Sequence, residues 1–136
     1  PEIIVLHGTG SAISVYRNTT MPGVFNASSL ATTVDFVGGT NASSFVVADI
    51  NGDARPDLLT ANPASNFSVL INNAVNGAVN PGSFQSKLDF SFTTDQALSI
   101  ASGDLDGDGK SDVVIATSSN EIVVFKNTST SSVVSF

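Results

Sequence analysis

Cysteine is absent from this 136-residue chain. No disulfide framework can staple it, and the redox compartment is left open. Cationic residues are scarce as well. Five Lys and Arg, spread singly, give no footprint for nucleic acid or for an anionic membrane. No apolar run approaches the length of a membrane span, and no hydrophobic period of 3.6 residues marks a helix. The chain has no initiating Met and no signal peptide, so we expect a mature or excised piece. A Cys nucleophile, a phosphate-cradling Gly loop beside a helix and a placeable Ser/His/Asp grouping are all missing, so we expect no enzymatic activity.

What is present is a chain of single-domain length with 41% hydrophobic residues, enough for a core. Ser, Thr and Asn make up roughly a third of it while Lys and Glu are few, a balance that leans extracellular. The net charge is −7, but seven of the Asp residues fall in two short stretches. Asp104-Leu-Asp-Gly-Asp-Gly-Lys-Ser-Asp112 carries carboxylates at its first, third, fifth and ninth positions. Asp49-Ile-Asn-Gly-Asp-Ala-Arg-Pro-Asp57 repeats the pattern, with Asn51 in place of one carboxylate and Ala54 in place of a turn glycine. Carboxylates packed this densely repel one another, and burying them uncompensated is costly. A hard divalent cation that takes six to eight oxygens resolves the conflict, which points to Ca²⁺ at both loops. Gly109 lets the second loop turn sharply, and Lys110 can offer its carbonyl. Two such ions would bring the formal charge from −7 to about −3, so the acidity belongs to the loops and is no signature of basic partners. Neither loop is an EF-hand: its twelfth position is Thr60 or Ile115, and β-type sequence follows.

The loops belong to an internal repeat. Pro1-Glu-Ile-Ile-Val-Leu6, Pro56-Asp-Leu-Leu-Thr-Ala61 and Ser111-Asp-Val-Val-Ile-Ala116 recur at an offset of 55 residues. Ser14-Val-Tyr-Arg-Asn18 matches Ser68-Val-Leu-Ile-Asn72 and Val123-Val-Phe-Lys-Asn127, and Val34-Asp-Phe-Val37 matches Leu88-Asp-Phe-Ser91. Glu2 falls where Asp57 and Asp112 close their loops, so the chain begins just inside a loop of the same kind. Each unit reads as four short strands rich in Val, Ile, Phe and Thr, separated by Gly, Asn, Ser and Pro. First strands are expected at Ser44–Ala48 and Leu98–Ser102, and second strands at Ile3–Leu6, Leu58–Ala61 and Val113–Ala116. Third strands follow at Ile13–Tyr16, Phe67–Ile71 and Ile122–Phe125, and fourth strands at Thr32–Val37 and Gln85–Phe92. Short strands repeating at this length are the cue for β-propeller blades, with the Asp-rich loop between first and second strands; a β-sandwich is the alternative. The division is a partial blade over 1–43, a full blade over 44–97 and a blade with a short or incomplete last strand over 98–136. The lone His7 ends a strand where its repeat counterparts are Asn62 and Thr117, a turn or surface position.

The pattern of apolar strand, Asp-x-Asp/Asn-Gly-Asp-Gly-x-x-Asp, apolar strand, and a strand ending in Asn resembles the FG-GAP/VCBS repeats. Those repeats build calcium-binding β-propellers, including the integrin α-subunit head and many surface proteins. The resemblance covers nearly the whole chain. It implies calcium ligands at Asp104, Asp106, Asp108, Lys110 (through its carbonyl) and Asp112. In the first loop it implies Asp49, Asn51, Asp53, Arg55 (through its carbonyl) and Asp57. About two and a half units cannot close a ring, which needs at least about four blades. Either the chain is a piece of a longer protein, or copies pack together and cover each other's open edges.

Five Asn-x-Ser/Thr sequons occur, at Asn18, Asn26, Asn41, Asn66 and Asn127, as possible N-glycosylation sites in a eukaryotic secretory setting. Asn18 and Asn127 recur with Asn73 at strand ends, where Asn suits left-handed turns; Asn26 and Asn41 have no such structural reading. The function expected is a calcium-stabilised, non-enzymatic extracellular module that recognises a protein or glycan. The alternatives are a structural subunit of an extracellular filament or coat, or a non-catalytic propeller attached to a secreted enzyme.

Overall fold

The computed structural model describes residues 2–75, 77–93 and 95–136. These residues form strands, turns and bends, with no helix among them, and hence none long and apolar enough to cross a membrane. The strands are β1 (Ile3–Leu6), β2 (Ala12–Tyr16), β3 (Val34–Val37), β4 (Ser44–Ala48), β5 (Asp57–Asn62), β6 (Asn66–Leu70), β7 (Leu88–Ser91), β8 (Ala97–Gly103), β9 (Asp112–Thr117) and β10 (Ile122–Phe125). They make three antiparallel sheets, ordered β1-β2-β3, β4-β5-β6-β7 and β10-β9-β8. Each neighbour in a sheet is the next strand in sequence, so every connection is a hairpin or a longer meander loop.

The expected strands all form. β4 and β10 have the bounds read from the sequence, and β5 and β9 each gain a residue at both ends. The two fourth strands are shorter than expected, Val34–Val37 and Leu88–Ser91. A loop that recurs in both units precedes each of them. Isolated bridges Asn18↔Leu30 and Asn72↔Phe84 pin it to the preceding strand. Asn26 and Asn80 each accept an N–H two residues on, from Ser28 and Gly82, while Ser29 and Ser83 accept from the Asn26 and Asn80 N–H. Backbone held by these side-chain turns does not extend a ladder.

The sheets stack face to face with the second in the middle. β5 is buried along its whole length, and its successive side chains point to opposite neighbours. Leu58, paired with Leu70, packs with Ile13, Val15 and Phe36 of the first sheet. Leu59, paired with Val69, packs with Ile100, Val113 and Ile115 of the third. Burying each such side chain contributes about 1.5–3 kcal/mol. A strand apolar on both faces needs a layer on both sides, and the three layers rule out the two-sheet sandwich.

Aromatic contacts between sheets repeat with the units. Phe84 meets Phe36 edge-on at 4.8 Å, and Phe136, its counterpart one unit later, meets Phe90 at 5.0 Å. Phe67, fully buried, stacks on Phe90 at 5.1 Å and takes the edge of Phe125 at 4.9 Å. After β10 the chain turns through a Thr130↔Val133 bridge, which brings Phe136 to this cluster. The third sheet has no fourth strand among the described residues.

Candidate metal loops

The loop between β4 and β5 and the loop between β8 and β9 share one hydrogen-bond plan. Asp49 Oδ1 accepts the N–H groups of Gly52 (2.7 Å) and Asp53 (3.1 Å), and its Oδ2 that of Ala54 (2.8 Å). Asp104 does the same for Gly107 (2.8 Å), Asp108 (3.1 Å) and Gly109 (2.9 Å). The fifth-position carboxylates, Asp53 and Asp108, accept the N–H of Arg55 and Lys110. Left-handed backbone makes the coil tight enough for this: Gly52, Gly107 and Gly109 have φ of 75°, 81° and 84°. Ala54 takes the same conformation at φ 63°, where a Cβ is a steric liability.

The ninth residue has a different task. Asp57 is fully buried and Asp112 is 2% exposed. Asp57 accepts the N–H of Ile50 on Oδ2 (2.9 Å) and that of Asn72 on Oδ1 (2.8 Å). Asp112 accepts from Leu105 (3.0 Å) and Asn127 (2.8 Å). Each carboxylate therefore ties the start of its loop to the end of the third strand in its sheet. Burial pushes the Asp57 carboxyl above its usual value, against the two N–H bonds, and the nearby Asp53 and Asp49 charges add to the rise.

The other ligand candidates are drawn together in the second loop. Asp104, Asp106 and Asp108 each place a carboxylate oxygen within 4.8 Å of the others, and all three are exposed. Asp112 is not part of that convergence. The Lys126 ammonium sits against Asp106 and lies 3.4 Å from Asp108, so hydrogen bonding to Lys126 holds the Asp106 carboxyl below its usual value. In the first loop Asn51 supplies an amide where Asp106 supplies a carboxylate. Its Nδ2 donates to Asp53 (3.1 Å), and the Arg55 guanidinium pairs with the same Asp53 oxygen at 2.9 Å. Burial pushes the Asp53 carboxyl up, but these bonds and the Arg55 charge outweigh it and leave it below its usual value. Spacing points to Arg55 only through its carbonyl and does not connect Lys126 to the carboxylates at all. Lys126 is distant in sequence and arrives through the β9–β10 pairing.

A Ser/His/Asp grouping absent from the sequence reading does exist. Ser14 Oγ donates to Asp35 Oδ1 at 2.6 Å and lies 2.8 Å from His7 Nε2. The order is wrong for nucleophilic catalysis, because the serine, 3% exposed, stands between the other two and gives its proton to the aspartate. One unit on, Asn62 Nδ2 donates to Ser68 Oγ, which donates to Asp89 Oδ1. A cross-strand polar ladder that tolerates Asn in place of His is structural, so His7 has a defined partner beyond a plain surface role.

The sequons are placed unevenly. The left-handed turns expected at Asn18, Asn73 and Asn127 are not found; Asn18, Asn127 and Asn72, which takes the equivalent place instead of Asn73, each accept an N–H two residues on with the side chain, from Thr20, Ser129 and Ala74. Asn127 is 1% exposed and its Nδ2 donates to both Ile50 O and Ser111 O, so a glycan there would displace both bonds. Asn66, half-buried, accepts from Asn62. Asn26 and Asn41 are exposed, but both have structural duties that the sequence reading did not find. Asn26 builds the recurring loop turn, and Asn41 is the left-handed one, at φ 54°, accepting from the Gly10 N–H.

Stacked antiparallel sheets, one per repeat, each with an Asp-rich loop between defined strands, define a repeat protein of β-propeller type. Residues 1–60 and 49–115 match the FG-GAP-like repeat and residues 97–134 the FG-GAP repeat. The chain belongs to the FG-GAP repeat family, whose members occur in integrin-like extracellular β-propeller modules. No curated protein and no solved structure matches it.

Proposed function

We propose that the chain is a calcium-stabilised segment of an extracellular β-propeller whose blades present loops to a protein or glycan partner, without catalysis of its own. The observation that carries the reading is the converging oxygen set of Asp104, Asp106 and Asp108, built on a backbone plan that the Asp49 loop repeats. All-oxygen hard donors on a flexible coil suit Ca²⁺. Asp104, Asp106, Asp108 and the Lys110 carbonyl would hold the ion in the second loop. Asp49, Asn51, Asp53 and the Arg55 carbonyl would form the weaker first site, one carboxylate poorer. Asp57 and Asp112 serve mainly as the buried anchors beneath them. The ion supplies positive charge where the loops concentrate negative charge, and so couples binding to folding. Lys126 and Arg55 compete for the same oxygens.

Calorimetric titration of EDTA-treated protein with Ca²⁺, paired with thermal unfolding, tests this. Binding that is lost in Asp108→Ala and kept in Asp95→Ala is expected; no heat and an unchanged melt would remove the metal's role. A second reading, a subunit of an extracellular filament, draws support from the outer face of the third sheet, where Ile122 is 71% and Val124 56% exposed. Electron microscopy separates them: ordered filaments favour the subunit, discrete particles the recognition module.

A further inference from the structure

The two Asp loops meet through one side chain. Asn127, two residues beyond β10, is 1% exposed, and every polar atom of its side chain is engaged. Its backbone N–H donates to Asp112 Oδ1 (2.8 Å), and its Oδ1 accepts the Ser129 N–H (2.9 Å). The Nδ2 group divides between the loops, donating to Ile50 O (2.9 Å) and to Ser111 O (3.0 Å). Both acceptors adjoin a proposed ligand, since Ile50 precedes Asn51 and Ser111 follows Lys110. Ile50 is also held on its other side, where its N–H donates to Asp57 Oδ2. The loops face each other across a cleft of about 190 Å³ lined by Asp49, Asn51, Lys110 and Ser129, and Lys110 Nζ donates to Ser129 O at 2.9 Å. A buried amide cannot let go of either carbonyl without leaving polar groups unpaired, which is costly. Fixing the backbone of one loop therefore fixes a boundary of the other.

We infer that Asn127 couples the two loops, so that a divalent cation in one raises the affinity of the other. The inference rests on the calcium reading above. Asn127 is a positioning residue: it offers nothing to an ion and acts through the carbonyls on either side of it. Ordering a loop backbone costs conformational entropy. The loop filled first orders Asn127 and its two acceptors, and the second ion meets a loop whose ordering is already part complete. Charge works the other way, because a filled loop leaves less negative potential for a second cation. That effect is screened, since the carboxylates of the second loop are exposed and the Debye length is about 8 Å at physiological salt. The Asn127 bonds are buried and unscreened, so the coupling is positive.

Titration of the isotopically labelled chain with Ca²⁺ at about 0.15 M salt, followed at the Gly52 and Gly107 amides, reads each loop separately. Asp108→Ala, at an exposed position, disables the second loop and should weaken Ca²⁺ binding at the first by about fivefold or more. In an Asn127→Ala background the same substitution should leave first-loop affinity unchanged. A merely structural Asn127 would lower stability and preserve the ratio. If Asn127→Ala fails to fold, the wild type still decides: exchange of the Asn127 side-chain amide protons with solvent should slow as the second loop fills. Four results would overturn the coupling and leave the calcium reading standing. They are equal first-loop affinity in wild type and Asp108→Ala, tighter first-loop binding in Asp108→Ala, a ratio that survives Asn127→Ala, and an exchange rate indifferent to Ca²⁺. Absence of binding at both loops would overturn the coupling and the calcium reading together.

Discussion

Asp57→Ala and Asp57→Asn probe the anchor on which the first loop stands. The carboxylate is fully buried and its two oxygens accept the Ile50 and Asn72 N–H groups at 2.9 and 2.8 Å. Truncation to Ala leaves two buried backbone donors without partners, each costing about 1–3 kcal/mol, and removes a side chain from a close-packed site. Against that stands the relief of a buried charge, whose cost is visible in the upward shift of its pKa. The net expectation is a loss of about 2–5 kcal/mol for Ala. Asn keeps the volume and one acceptor but turns an NH₂ toward the other N–H, and should cost about 1–3 kcal/mol. Urea unfolding followed by far-ultraviolet circular dichroism gives both values, with the midpoint falling and the slope unchanged. The decisive comparison is with and without EDTA. An anchor that works through backbone N–H groups loses the same amount in both. A loss that appears only when calcium is present would make Asp57 a metal ligand first and refute the reasoning.

Other expectations follow from single contacts. Ala54→Gly should stabilise the protein by up to about 1 kcal/mol, because the residue sits at φ 63° and glycine removes the steric cost; a lower urea midpoint would contradict this. Gly39→Ala should destabilise by about 1–3 kcal/mol, since its Cβ would lie 1.6 Å from the buried Asn62 Oδ1; an unchanged thermal midpoint would show that the ladder residue can move aside. Burial pushes the Asp89 carboxyl up, but its bonds to Lys87 and Ser68 and the Lys87 charge leave it below its usual value of 3.8. The stability it contributes is therefore full above the unfolded pKa and is lost as pH falls through the folded one. Unfolding free energies of wild type and Asp89→Asn in EDTA should converge below pH about 4; a constant gap down to pH about 2 would refute the ion-pair account. If the protein is made in a eukaryotic secretory cell, glycopeptide mass spectrometry should find sugar at Asn26 or Asn41 before Asn127; occupied Asn127 in folded protein would contradict its buried bonds.

Much of the fold was legible because its signals are local. Runs of Val, Ile, Phe and Thr, the turn residues between them and the 55-residue repeat placed all ten strands, and side chains within one loop are close whatever the rest of the chain does. What escaped was set by neighbours distant in sequence. The fourth strands were overextended because the pairing shifts by one residue between Val15↔Val34 and Asn18↔Leu30, and between Val69↔Leu88 and Asn72↔Phe84, which a propensity count does not see. Ser14 joined His7 and Asp35 only through the pairing of β1, β2 and β3, which an inspection of spacing cannot find. Asp57 and Asp112 read from spacing as loop ligands like the rest, and their bonds to the N–H groups at the end of each sheet's third strand could not be seen there.

The sequence by itself determined the repeat, the strands and where negative charge accumulates, since a period of 55 residues and carboxylates two apart are properties of the chain written out flat. Only the tertiary structure decided how the acidic residues divide. Stacking the sheets buries the ninth carboxylate of each loop against backbone N–H groups and leaves Asp104, Asp106 and Asp108 facing water. It also decided that Ile50 is core while Leu105, at the same loop position, is surface. The two residues have the same local surroundings, and the difference is whether a further sheet lies against them.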